Sequence, residues 1–410
     1  VGDLSVPLAP RLAFIFSCLV AGCGGSSEPT TEPSSEPPGE PSADAVAVAA
    51  LLGAGGPTAP TFVPIYDASA NPGGTFYPTA LGFNPFVGDE LWITLRQPLT
   101  DQTCYQDDTT GCPWLIGKVA ILEGSGQAPD TAPQVQIKED GNAWHFMRRP
   151  TSISFNDDDT FATCAEALTS NYEDVDVPYN GPVLWSADPT IFGVTPSAAS
   201  PTHSTHIDML HETPYCMGIA HDHANVYWVF NGEAGSLDRY DFHKPHVPGG
   251  DDHSDGELER YVTGKLSRVP EVPSHLAFDS DSWLLYAADS GHGRIVALDT
   301  STGKPGPNVV TYDPIQTHYE MDDAKLSEVV RPGRLGVPSG LTLYAGVLFV
   351  TDVLTSNIVA YDTAGHTLAT LATGLPPGSL AGITIGPDGR AYFADQIGRR
   401  VLRVDPAPSP

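Results

Sequence analysis

Three segments near the C-terminal end are versions of one another, and that repetition limits the fold more than any other feature. They are VPSHLAFDSDSWLLYAADSGHGRIVALD (272–299), VPSGLTLYAGVLFVTDVLTSNIVAYD (337–362) and LAGITIGPDGRAYFADQIGRRVLRVD (380–405). Each runs through a short apolar strand rich in small residues, a polar turn and an aromatic-rich strand ending at Ala-Asp or Thr-Asp. A second turn and a third strand that stops on Asp complete the unit. Alternation of apolar positions around Ile295 to Leu298 and Ile358 to Tyr361 marks strands by periodicity alone. A unit of this size cannot bury both of its faces and must stack on further copies. The 41 glycines and 39 prolines fit many short strands joined by tight turns.

The repeated residues resemble the NHL repeat, one blade of a β-propeller. With that template, weaker copies stand upstream at 77–96 (third strand 118–124), 149–167 (continuing to 181–187) and 213–242. The resemblance implies an all-β fold, a six-bladed β-propeller with blades A to F. TFVPIYD (61–67) has no blade of its own and is expected to close the ring as the outermost strand of the last blade. A β-sandwich, the competing architecture, leaves the three-strand unit unexplained.

The first residues read as an address. Arg11 precedes a short apolar run that ends Leu19-Val20-Ala21-Gly22-Cys23, which resembles a bacterial lipobox. Residues 1–22 are therefore expected to be a lipoprotein signal peptide, with Cys23 the lipidated residue. Residues 23–59 are expected to be a disordered tether and 60–410 the propeller. GGSSEPTTEPSSEPPGEPSADA (24–45) has too little apolar surface to offset its ordering entropy. The apolar stretch AVAVAALLGAGG that follows suits a short helix or more linker. The expected location is the bacterial cell envelope, periplasmic or surface-exposed, with the membrane as a partner through the lipid.

Twenty Lys and Arg face 50 Asp and Glu, a formal net charge of −30, which argues against a nucleic-acid partner. Cys18 falls within the signal, leaving Cys104, Cys112, Cys164 and Cys216 in the exported part. Four thiols there suggest two disulfides, Cys104–Cys112 and Cys164–Cys216. A four-cysteine zinc site competes but has no CxxC pair to support it.

Eight of the 13 histidines fall between His203 and Asp255, at 203, 206, 211, 221, 223, 243, 246 and 253. Asp222, Asp241, Asp251, Asp252 and Asp255 lie among them, and imidazole with carboxylate suits a borderline transition metal. In a propeller, connections between strands 1 and 2 and between strands 3 and 4 share one face. That arrangement puts His221 and His223 on the same rim as His243, His246, Asp252 and His253, with His203 and His206 from the neighbouring blade. His211 goes to the opposite face. The expected metal ligands are His221, His223, His243, His246, Asp252 and His253, for zinc or copper. An exposed polar loop and a calcium site at Asp251, Asp252 and Asp255 are the competing readings.

The NHL resemblance also brings in peptidyl-hydroxyglycine lyases, whose zinc sits at the channel mouth on histidines near the starts of inner strands. The aligned positions here are Ala80, Ser152, Met217, His275, Gly340 and Gly382. Only His275 matches, so the three-histidine site is not implied, and His275 is a candidate general base. Lactonase-type propellers imply a channel calcium on Glu, Asn and Asp. Asn231, Asp289, Asp352, Asn357 and Asp395 lie suitably, although the aspartates also match the structural Asp of the repeat. No GxSxG elbow, Walker loop or dinucleotide fingerprint occurs. The expected function is an anchored binding propeller with a rim metal site. A metal-dependent lyase or hydrolase at the channel mouth and a metal-free interaction scaffold are the alternatives.

Overall fold

The computed structural model describes residues 40–56, 58–71, 75–99, 115–125, 134–170, 177–194 and 205–407. Cys23, Cys104, Cys112 and His203 lie outside these residues. Six sheets form a six-bladed β-propeller. The inner strands, from blade A to blade F, are Tyr77–Phe83, Pro150–Phe155, Cys216–His223, Leu276–Asp279, Pro338–Tyr344 and Leu380–Ile385. Each pairs antiparallel with the next strand outward. The ring closes as the sequence implies. Thr61–Asp67 runs antiparallel to Arg400–Asp405, with Thr61 opposite Asp405 and Asp67 opposite Arg400.

The inner strands approach so closely that some positions admit only glycine. A β-carbon on Gly218 would run into Ser274 O, and one on Gly340 into Ala381 O. Hydroxyls bridge the A/B and B/C gaps, Thr79 Oγ1 donating to Pro150 O at 2.9 Å and Thr151 Oγ1 to Cys216 O at 2.8 Å. Gly218→Ala is expected to cost about 2 kcal/mol, because the blades must separate to admit the methyl group. Urea unfolding of this variant checks it, and an unchanged midpoint refutes the tight-axis account.

The aspartates that end the second strands of blades D, E and F are buried and hold the turns. Asp352 Oδ1 accepts from Val337 N and Leu354 N, and its Oδ2 from Gly336 N. Asp289 accepts from Ser267 N and Arg294 Nε, and Asp395 from Gly398 N and Arg400 Nε. These carboxylates are saturated by their own repeats, which is the structural role the pattern suggests. A Cys164–Cys216 disulfide joins the second strand of blade B to the inner strand of blade C.

Two features depart from the sequence reading. Residues 43–52 fall inside the span given to the tether, although their apolar stretch also suited a short helix, and they are ordered against the propeller. Ser42 caps the helix Ala43–Ala49 by accepting from Ala45 N. Ala45, Ala49 and Leu52 are buried in one cluster with Val347, Leu371 and Leu402 of blades E and F. The small side chains of Ala45 and Ala49 let the backbone lie close to the sheet edge, which a solvated tether does not require. No helix among the described residues is long and apolar enough to cross a membrane.

The second departure is a hairpin, Lys304–Asn308 with Thr317–Asp322, between the third and outer strands of blade D. It leaves its own blade and lays Thr317–Asp322 parallel to Glu257–Tyr261, widening the sheet of blade C to six strands. The exposed edge of blade C is thereby covered. The tip of the hairpin, residues 309–316, reaches on to the edge of blade B.

Candidate metal centre in the blade B/C cleft

The outer strand of blade B is short, His206–Met209, and side chains alternate along it. His206 and Asp208 therefore share one side. The long connection from Asp241 to Glu257 in blade C folds back on this strand. His246 N donates to Ile207 O at 3.0 Å, and Gly249 N to His206 O at 2.9 Å. Gly250 has to lack a side chain, because a β-carbon there would meet the His246 ring. These backbone bonds bring the imidazoles of His246 and His253 over His206.

His206, His246 and His253 each offer a ligand nitrogen within 4.8 Å of the others. A tetrahedral zinc with bonds near 2.0–2.1 Å holds its ligand atoms about 3.4 Å apart. The three nitrogens are therefore at most about 1.4 Å farther apart than a bound ion would hold them. The hydrogen bonds around the rings prepare them for that role. His253 Nδ1 donates to Asp208 Oδ1 at 2.8 Å and His246 Nδ1 to Val247 O at 2.8 Å, so each keeps its lone pair on Nε2. His206 Nδ1 and His246 Nε2 are buried and have no hydrogen-bond partner.

The electrostatics follow from burial. His206 is 1% exposed and stacks on Phe146, ring centroids 3.8 Å apart. Desolvation, aided by the neighbouring histidines, pushes its pKa down to about 2, so it is a neutral imidazole. Burial also works against charge on His253, but the hydrogen bond and charge of Asp208 outweigh it and the net shift is upward. Burial raises Asp208 despite its bond to His253.

His206 and His253 line a cleft of about 770 Å³, a size that suits a small ligand. Trp144, Phe146 and Tyr179 make it partly aromatic, and Asp251, Asp252 and Asp313 make it acidic. His211 lines the same cleft, its ring 6.3 Å from that of His253 and stacked on Tyr179 at 3.8 Å. Its Nδ1 and its backbone N–H both donate to Asp313, at 3.0 and 2.7 Å. Asp313 comes from the blade D hairpin, where Glu212 Oε1 accepts from the amides of Tyr312 and Asp313.

The sequence-derived ligand set is thus divided. His246 and His253 converge with His206, and Asp252 lies at the cleft lip, accepting from Ser254 N and Oγ. The Ser254 hydrogen bonds lower the pKa of Asp252. His221 and His223 stay at the end of the blade C inner strand, with His221 Nε2 against Ala224 O and His223 on Asp222. His243 forms a separate, more exposed group with Asp241 and Glu257. Asp251, Asp252 and Asp255, the competing calcium reading, do not form a converging carboxylate group among the described residues, and Asp255 accepts from Lys244 N.

His211 does not leave for the opposite face. Sorting by face treats a blade as having two rims, but this cleft runs lengthwise along an outer strand of four residues, and both of its ends serve one cavity. His206 carried the right signal, a histidine two residues before an aspartate on an edge strand. Asp313 carried none, since its hairpin belongs to another blade.

His275 lines a separate axial cavity of about 240 Å³, together with residues from all six inner strands. It is 7% exposed, and its Nε2 lies 2.9 Å from Thr151 O of blade B. Burial lowers its pKa to about 4. An Nε2 that donates to a carbonyl ties this ring to the blade packing.

No protein-family model matches the chain, and no curated protein matches it. Among solved structures, an auxiliary nutrient binding protein from Bacteroides thetaiotaomicron is similar at 12% identity and TM-score 0.50, over 83% of this chain and 74% of that one. A protein of unknown function from the same organism is similar at 11% identity and TM-score 0.49, over 85% and 76% of the two chains. A virginiamycin B lyase from Staphylococcus aureus is similar at 11% identity and TM-score 0.44, over 85% and 88%. At such identities the likeness is one of fold, and the chain is a six-bladed propeller.

Proposed function

We propose that this protein is an exported, lipid-anchored NHL-type propeller that acts as a binding protein. Its working site is a transition-metal centre held by His206, His246 and His253 in the blade B/C cleft. The observation that carries this reading is the pair of buried, unpartnered nitrogens, His206 Nδ1 and His246 Nε2, beside a third imidazole oriented by Asp208. A buried polar atom without a partner is costly, and a metal ion supplies the missing one. Neutral nitrogen donors select zinc or copper over calcium, which takes oxygen ligands. The acidic residues around the cleft favour a cation. Export fits the Cys164–Cys216 bridge, since such bonds persist in oxidising compartments.

Purified protein reconstituted with zinc or copper is expected to retain one metal ion per chain by elemental analysis. The His246→Ala/His253→Ala variant is expected to fall below about 0.2 equivalents, with an affinity at least about 100-fold weaker. Loss of the His253 partner leaves Asp208 buried and unpaired, so the variant's melting temperature without metal is expected to fall, and its fold is checked by circular dichroism. Full retention by the variant removes these residues from the site. For the anchor, Cys23→Ser is expected to move the protein from the detergent phase to the aqueous phase, and continued detergent partitioning would count against lipidation.

A further inference from the structure

We propose that the same centre is hydrolytic, with a metal-bound water as the nucleophile and His211, oriented by Asp313, as the group that takes its proton. This rests on the metal reading of the cleft and goes beyond binding. Among the described residues the protein supplies three ligands to the group. Three imidazoles leave a tetrahedral zinc one position short, which is the coordination of a catalytic ion rather than a structural one. Metal at such a position makes hydroxide available near neutral pH.

His211 is built as a proton acceptor. Its Nδ1–H is committed to the Asp313 carboxylate at 3.0 Å, which leaves the lone pair on Nε2. That nitrogen is buried and has no hydrogen-bond partner. Stacking on Tyr179 at an interplanar angle of 7° fixes the ring, and its centroid lies 6.3 Å from that of His253, near enough for a metal-bound water to reach it. The Glu212 carboxylate in turn holds the backbone that carries Asp313, at 2.9 Å. His206 and His253 beside an oriented base in one cleft form an acyl-transfer arrangement.

The substrate class follows from the lining. Trp144 and Phe146 suit an apolar or aromatic group, and Asp251 and Asp252 at the lip disfavour anions, so neutral or cationic carboxylic esters fit. The water oxygen bonds to the acyl carbon, and the bond from that carbon to the alcohol oxygen breaks. The water proton passes to His211 Nε2 and then to the departing alkoxide. No oxidant or reductant is needed.

The test uses the intact protein, zinc-loaded and zinc-free, with 4-nitrophenyl acetate as probe. Zinc is expected to raise turnover at least about 100-fold. His211→Ala is expected to lower it about 100-fold while still holding one equivalent of zinc. Asp313→Asn, which keeps the side-chain shape, should lower turnover less with the same zinc content. Cobalt-substituted protein supplies a readout independent of turnover, since azide should change its visible spectrum by occupying the open position. Zinc-independent hydrolysis, full activity in His211→Ala, or a cobalt spectrum unmoved by azide overturns hydrolysis and leaves metal binding standing. Failure to hold zinc at all overturns both readings.

Discussion

Replacing Cys164 and Cys216 together with serine is expected to destabilise the propeller by about 4 kcal/mol and to lower its melting temperature by about 5 °C. The bridge closes a loop with a sequence separation of 52 residues. Cross-linking a loop of that length removes denatured-state entropy of about this size in the chain-entropy model. The bridge also spans two blades, and both half-cystines are buried, at 1% and 0% exposure. Ring closure depends on every junction between blades, so loosening this one exposes the shared core of Cys164, Leu184, Ile219 and Tyr227. Calorimetry of the oxidised parent against the double variant measures the difference. Equal melting temperatures would mean that the B/C junction is held by packing alone.

The metal-free protein is also expected to lose about 2 kcal/mol of stability between pH 6.5 and pH 4.5. His206 and His275 are buried and neutral, with pKa values pushed down to about 2 and about 4. Unfolding frees them to bind protons near their ordinary value of about 6.5, so the unfolded state gains protons over the native state below that pH. Stability therefore falls with acid. Glu212 opposes them, because burial raises it to about 7. Its native state takes up a proton ahead of the unfolded state, which adds stability as pH drops from 7 toward 4.5. His253 and Asp208, both raised on balance, act in the same sense as Glu212. Two strongly depressed histidines outweigh these offsets. Urea unfolding across this range reads the slope, and His206→Gln should flatten it by removing the larger contribution. A slope unchanged in that variant would show that His206 is not the neutral buried group described above.

The histidine-rich stretch shows how much of the site was legible. Its composition pointed to imidazole ligands, and the propeller topology brought His246 and His253 to the neighbouring blade. The division of the remaining histidines was not legible. His221 and His243 have local partners, Ala224 O for one and Asp241 with Glu257 for the other. Such partners are chosen at the scale of one turn, and composition does not report them. His211 was assigned to the wrong side because an outer strand of four residues is too short to keep its two ends apart.

The repeat by itself determined the blades, the closing strand at 61–67 and the burial of the Asp that ends each second strand in blades D to F. Strand alternation and turn chemistry act over a few residues, so they are written locally. Tertiary structure alone decided which nitrogens face one another. The helix at 43–49 found its place on blades E and F through small buried side chains, and the blade D hairpin crossed to the edge of blade C and carried Asp313 to His211. Both depend on unpaired edges and grooves that exist only once the six sheets have assembled. A cleft built from three blades has no counterpart in any single stretch of chain.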